Sequence, residues 1–230
     1  MSGNYLVKIM QSIIILQYYK VIMYMLMQKV FAMAYLSREE IAKIGFKSYG
    51  ENLQISSKAT FYRPERISLG NNIKIDDFAV LANYITLSDY IFIGIGSHLL
   101  ASGNAPITLE NFSTLAYRVM IITSSDDYSG EFMTNPTIPD SFRGCYEKKV
   151  NLNKHAIIGA NSMIMPGCDI AEGVAIGAMS LVTKPTKEWG IYAGNPARRI
   201  KERSKNLLDL EKQFLKSLNP TLKNSGANPK

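Results

Sequence analysis

Residues 152–182 read LNKHAIIGANSMIMPGCDIAEGVAIGAMSLV, and their spacing decides the fold. Leu152, Ile158, Ile164, Ile170, Ile176 and Val182 set an aliphatic side chain at every sixth position without a miss. Four residues after the first five of these come Ala156, Ser162, Cys168, Val174 and Ser180, all small or β-branched, and Gly159 and Gly177 directly follow the aliphatic position. A period of six fits neither an amphipathic helix nor the alternation of a half-buried strand. It is the period of a hexapeptide β-helix, which repeats one short strand and one tight turn. The aliphatic side chain then points into a prism-shaped coil, the small residue lies near a corner, and three hexads complete one triangular turn.

The same register runs upstream. Leu69, Ile75, Leu81, Leu87, Ile93 and Leu99 are again six apart, with Ile73, Ala79, Ile85, Ile91 and Ser97 in the companion positions. The first readable hexad is Ile55 with Ala59, so a prism is predicted from about 55 to 184. Two segments break it. Residues 101–108, containing Gly103-Asn104-Ala105-Pro106, precede a resumption at Leu109, Leu115 and Ile121. Residues 123–149, containing Asp126-Asp127-Tyr128-Ser129-Gly130, carry no hexad at all. Counted from Leu69, both Leu99 and Ile121 are third-face strands, so both insertions leave the prism at one corner, a turn apart. Insertions in repeat arrays often mark the binding face, and a long loop in a compact domain is usually functional or disordered.

The ends divide from this array. Residues 1–50 form an N-terminal helical extension, 51–184 the prism, and 185–230 a closing segment, a C-terminal helix and a tail. Ser37 with Glu40 makes a capping box and Gly45 a stop for a short helix. Leu207, Leu208, Leu210, Phe214, Leu215 and Leu218 follow a helical period. Within residues 1–35, Ile13–Leu16 and Val21–Met27 are strongly apolar, but Lys20 interrupts them and Lys8 and Lys29 flank them. A spanning helix wants about 20 apolar residues without a central charge. Packing on the oligomer or on a membrane surface is the better reading, and Met33 is an alternative start. The net charge of +7 suits a small anionic ligand, and no basic blocks interleaved with aromatics point to nucleic acid. Cys145 and Cys168, far apart in sequence, fit a reduced cytosolic protein.

The array and the segment Gly190-Ile191-Tyr192-Ala193-Gly194-Asn195-Pro196-Ala197-Arg198 resemble the hexapeptide-repeat acyltransferases over residues 50–200. Within that family the chain is most similar to the small O-antigen and capsule sugar acetyltransferases. The resemblance implies an all-β, left-handed parallel β-helix, a homotrimer, and acetyl-coenzyme A in the groove between neighbouring prisms. A thin pantetheine chain needs small side chains along its path, as Gly159-Ala160 and Gly177-Ala178 offer on one edge. Lys184, Asn195, Arg198 and Arg199 are the further coenzyme contacts, the cations meeting its phosphates.

Many relatives carry a His in the turn after a third-face strand, in a pattern like Thr-x-x-His-Asp-Tyr. Here the turn reads Thr123-Ser124-Ser125-Asp126-Asp127-Tyr128, with Asp126 in the histidine's place. A hydroxyl acceptor needs a positioned base, whereas a neutral amine attacks a thioester unaided. The expected acceptor is therefore an amino sugar, nucleotide-linked, with Asp126 or Asp127 orienting the ammonium and taking up a proton. Asn104 and Tyr128 are expected acceptor contacts. His98 reads as a turn residue at the second corner; His155 is a base only if a neighbouring subunit brings it to the site. O-acetylation of a sugar or xenobiotic stays open as the alternative. A zinc site of three histidines has weak support from a chain with two, and no metal is expected.

Overall fold

The computed structural model describes residues 35–218 together with positions 15 and 17–20, so most of the apolar N-terminal segment, with the expectations placed on it, and the tail after Leu218 lie outside the described residues. Strands of two or three residues stack in parallel into three sheets, one per face of a prism of about seven turns. The first face starts at Ser48–Tyr49, the second at Leu53–Ile55 and the third at Thr60–Tyr62. Each face repeats one residue class at one position. Leu69 pairs with Leu87, Leu87 with Leu109 and Leu109 with Leu152, and a bridge joins Leu152 to Ile170. All six hexad aliphatics from Leu152 to Val182 are at most 3% exposed. Burying one such side chain is worth about 1.5–3 kcal/mol, and no coil achieves it without its neighbours.

Parallel pairing begins at Ser48, ahead of Ile55 where the hexads become readable. The terminal coil has only the short helix α1 (Arg38–Ile44) where a further coil would stack, so Tyr49 and Leu53 stay half-buried and the pattern fades there. The capping box is formed: Glu40 N–H donates to Ser37 Oγ at 3.2 Å, and Ser37 N–H to the Glu40 carboxylate at 2.8 Å. Gly45 ends α1 at φ 83°, and Ile41 buries against the first coil. At the other end, strand Gly190–Ala193 extends the second face and returns antiparallel as Arg198–Glu202. Helix α2 (Leu207–Leu218) then lies along one corner. Among the described residues no helix is long and apolar enough to cross a membrane.

Both insertions leave from the corner between the third and first faces, in agreement with the hexad count, because Leu99 pairs with Ile121. Thr123, fully buried, ties their roots together. Its hydroxyl donates to Ala105 O at 2.7 Å and accepts from Ser102 N–H at 2.8 Å, while its carbonyl accepts from Lys148 N–H at 2.9 Å.

Close stacking sets a test. A Cβ at Gly94 would lie 2.7 Å from the Ala116 carbonyl of the next coil, whereas one at Gly103 meets nothing within 4 Å. Gly94→Ala should lose about 1–3 kcal/mol in chemical denaturation, the usual cost of overpacking, and Gly103→Ala less than about 0.5 kcal/mol. Equal losses would contradict coils stacked this tightly.

Candidate active site

The small-residue edge is the corner between the second and third faces. Gly159 N–H donates to Ile176 O at 2.7 Å, Gly177 N–H to Tyr192 O at 2.7 Å, and Met179 N–H to Ala160 O at 2.8 Å. Gly159, Ala160, Gly177 and Ala178 therefore sit on adjacent coils at one edge. A Cβ at Gly159 would come 2.4 Å from Ala178 N, so coil stacking alone already requires this glycine. Gly177 has more room, with the nearest atom, Ala193 Cβ, at 3.0 Å.

The closing segment crosses the top of this edge. Gly194 N–H donates to Ser180 Oγ at 3.1 Å, and Ala197 N–H to Leu181 O at 2.8 Å. Beside it opens a cleft of about 300 Å³ walled by Lys184, Thr186, Tyr192, Ala197, Arg198 and Arg199 among others. The three cations singled out in the sequence thus share one recess. Arg199 pairs with Glu202 at 2.5 Å; among the described residues Arg198 and Lys184 have no acidic partner. Thr186 and Tyr192 join them, and only their place in the closing segment hinted at it. Asn195 lies in the same segment, two residues before the cleft wall at Ala197.

The loop candidates occupy a different corner. Ser124–Asp126 pairs antiparallel with Cys145–Glu147, which makes the long insertion a two-stranded arm. Asp127 organises its tip. Its carboxylate accepts from the amide and hydroxyl of Ser129, at 3.1 and 2.8 Å, and from the amides of Gly130 and Phe132, at 3.0 and 3.3 Å. Bonds from the Ser129 amide and hydroxyl, then those from Phe132 and Gly130, hold this carboxyl below the usual aspartate range. Asp126 is less committed. Among the described residues its carboxylate accepts one hydrogen bond, from Asn135 N–H at 3.2 Å, and the Arg143 guanidinium lies close enough to feel its charge. Tyr128 is 93% exposed beside it, and Asn104 is exposed on the neighbouring insertion.

His155 stands at the corner between the first and second faces, away from the loop. It adopts φ 62° and stacks on Phe112 at 5.2 Å, and Phe112 stacks on Tyr90 at 4.8 Å. Its Nε2 lies 2.8 Å from Glu211 of α2, whose other oxygen binds Lys154 Nζ at 2.6 Å. Burial opposes the charge on Glu211, yet the bonds from Lys154 and His155 hold its carboxyl below the usual range. His98 opens a third-face strand just past the second corner, between Val80 and Met120. One chain therefore presents coenzyme candidates on one border of the third face and loop candidates on the other.

No family model matches the chain. It is 40% identical over 185 residues to a dTDP-4-amino-4,6-dideoxy-D-glucose acyltransferase of Escherichia coli, covering 79% of this chain and 95% of that protein. The crystal structure of AntD, an N-acyltransferase of Bacillus cereus, in complex with dTDP and 3-hydroxybutyryl-CoA, matches with a TM-score of 0.79 at 43% identity. That match covers 81% of this chain and 98% of AntD. A shorter stretch of 46 residues is 50% identical to a chloramphenicol acetyltransferase of Klebsiella aerogenes, covering 20% of this chain and 22% of that enzyme. The chain belongs to the hexapeptide-repeat sugar acyltransferases and has their left-handed parallel β-helix fold. The chain is an acyltransferase.

Asp127 carries a pH dependence. Its folded-state affinity for a proton is lowered, so it stabilises the arm fully above the ordinary aspartate value. That contribution is lost as pH falls through the lowered value. The amide resonances of Ser129, Gly130 and Phe132 should titrate together, with a midpoint below that of a free aspartate, and Asp127→Asn should flatten all three curves. A midpoint at the ordinary value would remove Asp127 as the loop's organiser.

Proposed function

We propose that the chain transfers the acetyl group of acetyl-coenzyme A to the amino group of a nucleotide-linked 4-amino-4,6-dideoxyglucose, for surface polysaccharide such as O-antigen or capsule. The observation that carries this reading is the loop corner, where Asp126 offers a carboxylate in place of an imidazole. The acceptor follows the relatives: the E. coli protein acts on the dTDP-linked amino sugar, and an AntD structure holds that sugar with coenzyme A. The two free cysteines suit a reduced compartment, and we place the reaction in the cytoplasm.

Gly159, Ala160, Gly177 and Ala178 leave a path for pantetheine, while Lys184, Asn195, Arg198 and Arg199 hold the phosphate end. Asp126, with Asn104 and Tyr128 beside it, orients the sugar ammonium. Once deprotonated, the amine attacks the thioester carbonyl carbon and the C–N bond forms. The tetrahedral oxyanion collapses, the C–S bond breaks, and the thiolate leaves with the electron pair. Asp126 takes up the proton that nitrogen sheds and passes it on to solvent or sulfur. Asp127, spent on four loop donors, shapes the arm instead of moving protons. A hydroxyl acceptor would need a general base, and the His155 Nε2 that would serve is held by Glu211 beneath α2.

Assembly as a homotrimer completes the site, bringing the loop corner of one chain against the small-residue edge of the next. Supporting it, the outward side chains of the third face include Val80, Leu100, Met120, Ile122 and Met163, all half-buried. Sedimentation at micromolar concentration should give a trimer; a monomer with full activity would remove the shared site.

The decisive assay uses dTDP-4-amino-4,6-dideoxyglucose and acetyl-coenzyme A. Asp126→Asn should weaken turnover without abolishing it, and the loss should shrink as pH rises and free amine accumulates. His155→Ala should fall well short of the roughly 10²–10⁴-fold loss expected of a general base. The same two variants are assayed on the corresponding sugar with a hydroxyl in place of the amine; turnover of that hydroxyl acceptor with a severe His155→Ala defect and full Asp126→Asn activity would overturn the reading.

A further inference from the structure

The outer strand of the closing hairpin, Arg198–Glu202, is exposed along its whole length, so its own side chains do not pack it down. Its inner pairing sets Arg198 opposite Ala193 and Arg199 opposite Tyr192. What fixes its far end is the next residue. The Arg203 amide donates to Trp189 O at 2.7 Å. Its Nη1 donates to His155 O at 2.8 Å and Gly173 O at 3.0 Å, with Val174 O at 3.4 Å. These carbonyls belong to two successive coils at the first corner. One guanidinium therefore staples the hairpin to the prism.

Helix α2 seats on the same corner. Glu211, its side chain 11% exposed, receives Lys154 and His155, and Phe214 meets the rings of Tyr90 and Phe112 edge-on at 5.4 and 6.4 Å. The chain from Arg198 to Leu218 is thus held by sheet pairing at its start and by Arg203 and Glu211 beyond. A forked contact to phosphate tolerates an error of only about 0.5 Å in placement. We propose that Arg203 and Glu211 are positioning residues for coenzyme binding: the first-corner clamp sets the register and tilt at which Arg198 and Arg199 face the coenzyme's phosphates. This rests on the reading that those two arginines take the phosphates.

Steady-state kinetics test it on the intact enzyme, with acetyl-coenzyme A and with its analogue lacking the 3′-phosphate. Arg203→Ala and Glu211→Ala should each raise the KM for acetyl-coenzyme A about five- to tenfold, leave kcat within about twofold, and spare the KM for the acceptor, the pattern of lost uniform binding. Arg203→Lys and Glu211→Gln keep part of the hydrogen bonding and should recover part of the loss. The analogue keeps the diphosphate but lacks one phosphate, so its KM should rise less than that of acetyl-coenzyme A in all four variants. If the variants merely unfolded a fraction of the enzyme, kcat would fall and KM would hold, and the inference would fail. The Arg198→Ala/Arg199→Ala double variant separates the two levels. An unchanged KM there overturns the phosphate assignment itself; a raised KM there, with clamp variants at wild-type KM, overturns the positioning role alone.

Discussion

Everything here depends on in-register stacking of parallel coils. Neighbouring strands lie about 4.7–4.9 Å apart, so whatever occupies a corner must coexist with the same corner one coil away. The ring spacing of 4.8 Å between Tyr90 and Phe112 is that coil rise expressed in side chains. Tyr90, Phe112 and His155 all take positive φ, near 60°, a conformation that costs a non-glycine residue roughly 1–2 kcal/mol. Ladder hydrogen bonds on both flanks over-determine these turns, and ring stacking offsets part of the strain.

The same constraint gives the three corners separate duties. At one corner the coil of Gly159 admits no side chain there, as the 2.4 Å approach shows, and Gly159-Ala160 and Gly177-Ala178 keep two successive coils of that edge thin enough for a ligand chain. Another releases both insertions, because only there does Thr123 bind their two roots at once. The remaining corner stacks aromatic rings and seats α2. A prism with a uniform interior can thus differ along its edges without disturbing its core.

What is legible in the sequence is what periodicity encodes. Inward positions obey a strict six-residue rule, so the coil, its faces and the shared exit of both insertions follow from counting residues alone. The capping box at Ser37 is equally plain, being local. Outward corner residues follow no rule of residue type: Tyr90, Phe112 and His155 occupy equivalent places yet share no sequence signal. His155 meets Glu211 across 56 residues and Arg203 reaches His155 across 48, distances no local pattern spans. Asp126 and Asp127 look interchangeable as a pair. Only geometry separates them, one carboxylate saturated by its own loop and the other carrying a single hydrogen bond. The start of the coil at Ser48 is hidden for a simpler reason, since a terminal coil buries one side less.

The placement of the two candidate half-sites argues for a reaction carried by the assembly. The glycine–alanine pairs proposed for the coenzyme line one border of the third face and the loop candidates the other, so within a chain the face itself stands between them. A contact joining unlike patches is heterologous, and it either closes into a ring or propagates as a filament. A closed ring brings each loop corner to a neighbour's small-residue edge and buries the half-apolar third faces at the same time. Each amine would then meet its thioester at a boundary between chains. The carboxylate would come from one side and the cations proposed for the phosphates from the other. Under that arrangement the first-corner clamp gains its importance. A cation hairpin set on one chain must be placed to ångström accuracy against an acceptor held by another, and loose strands cannot do that across a subunit boundary.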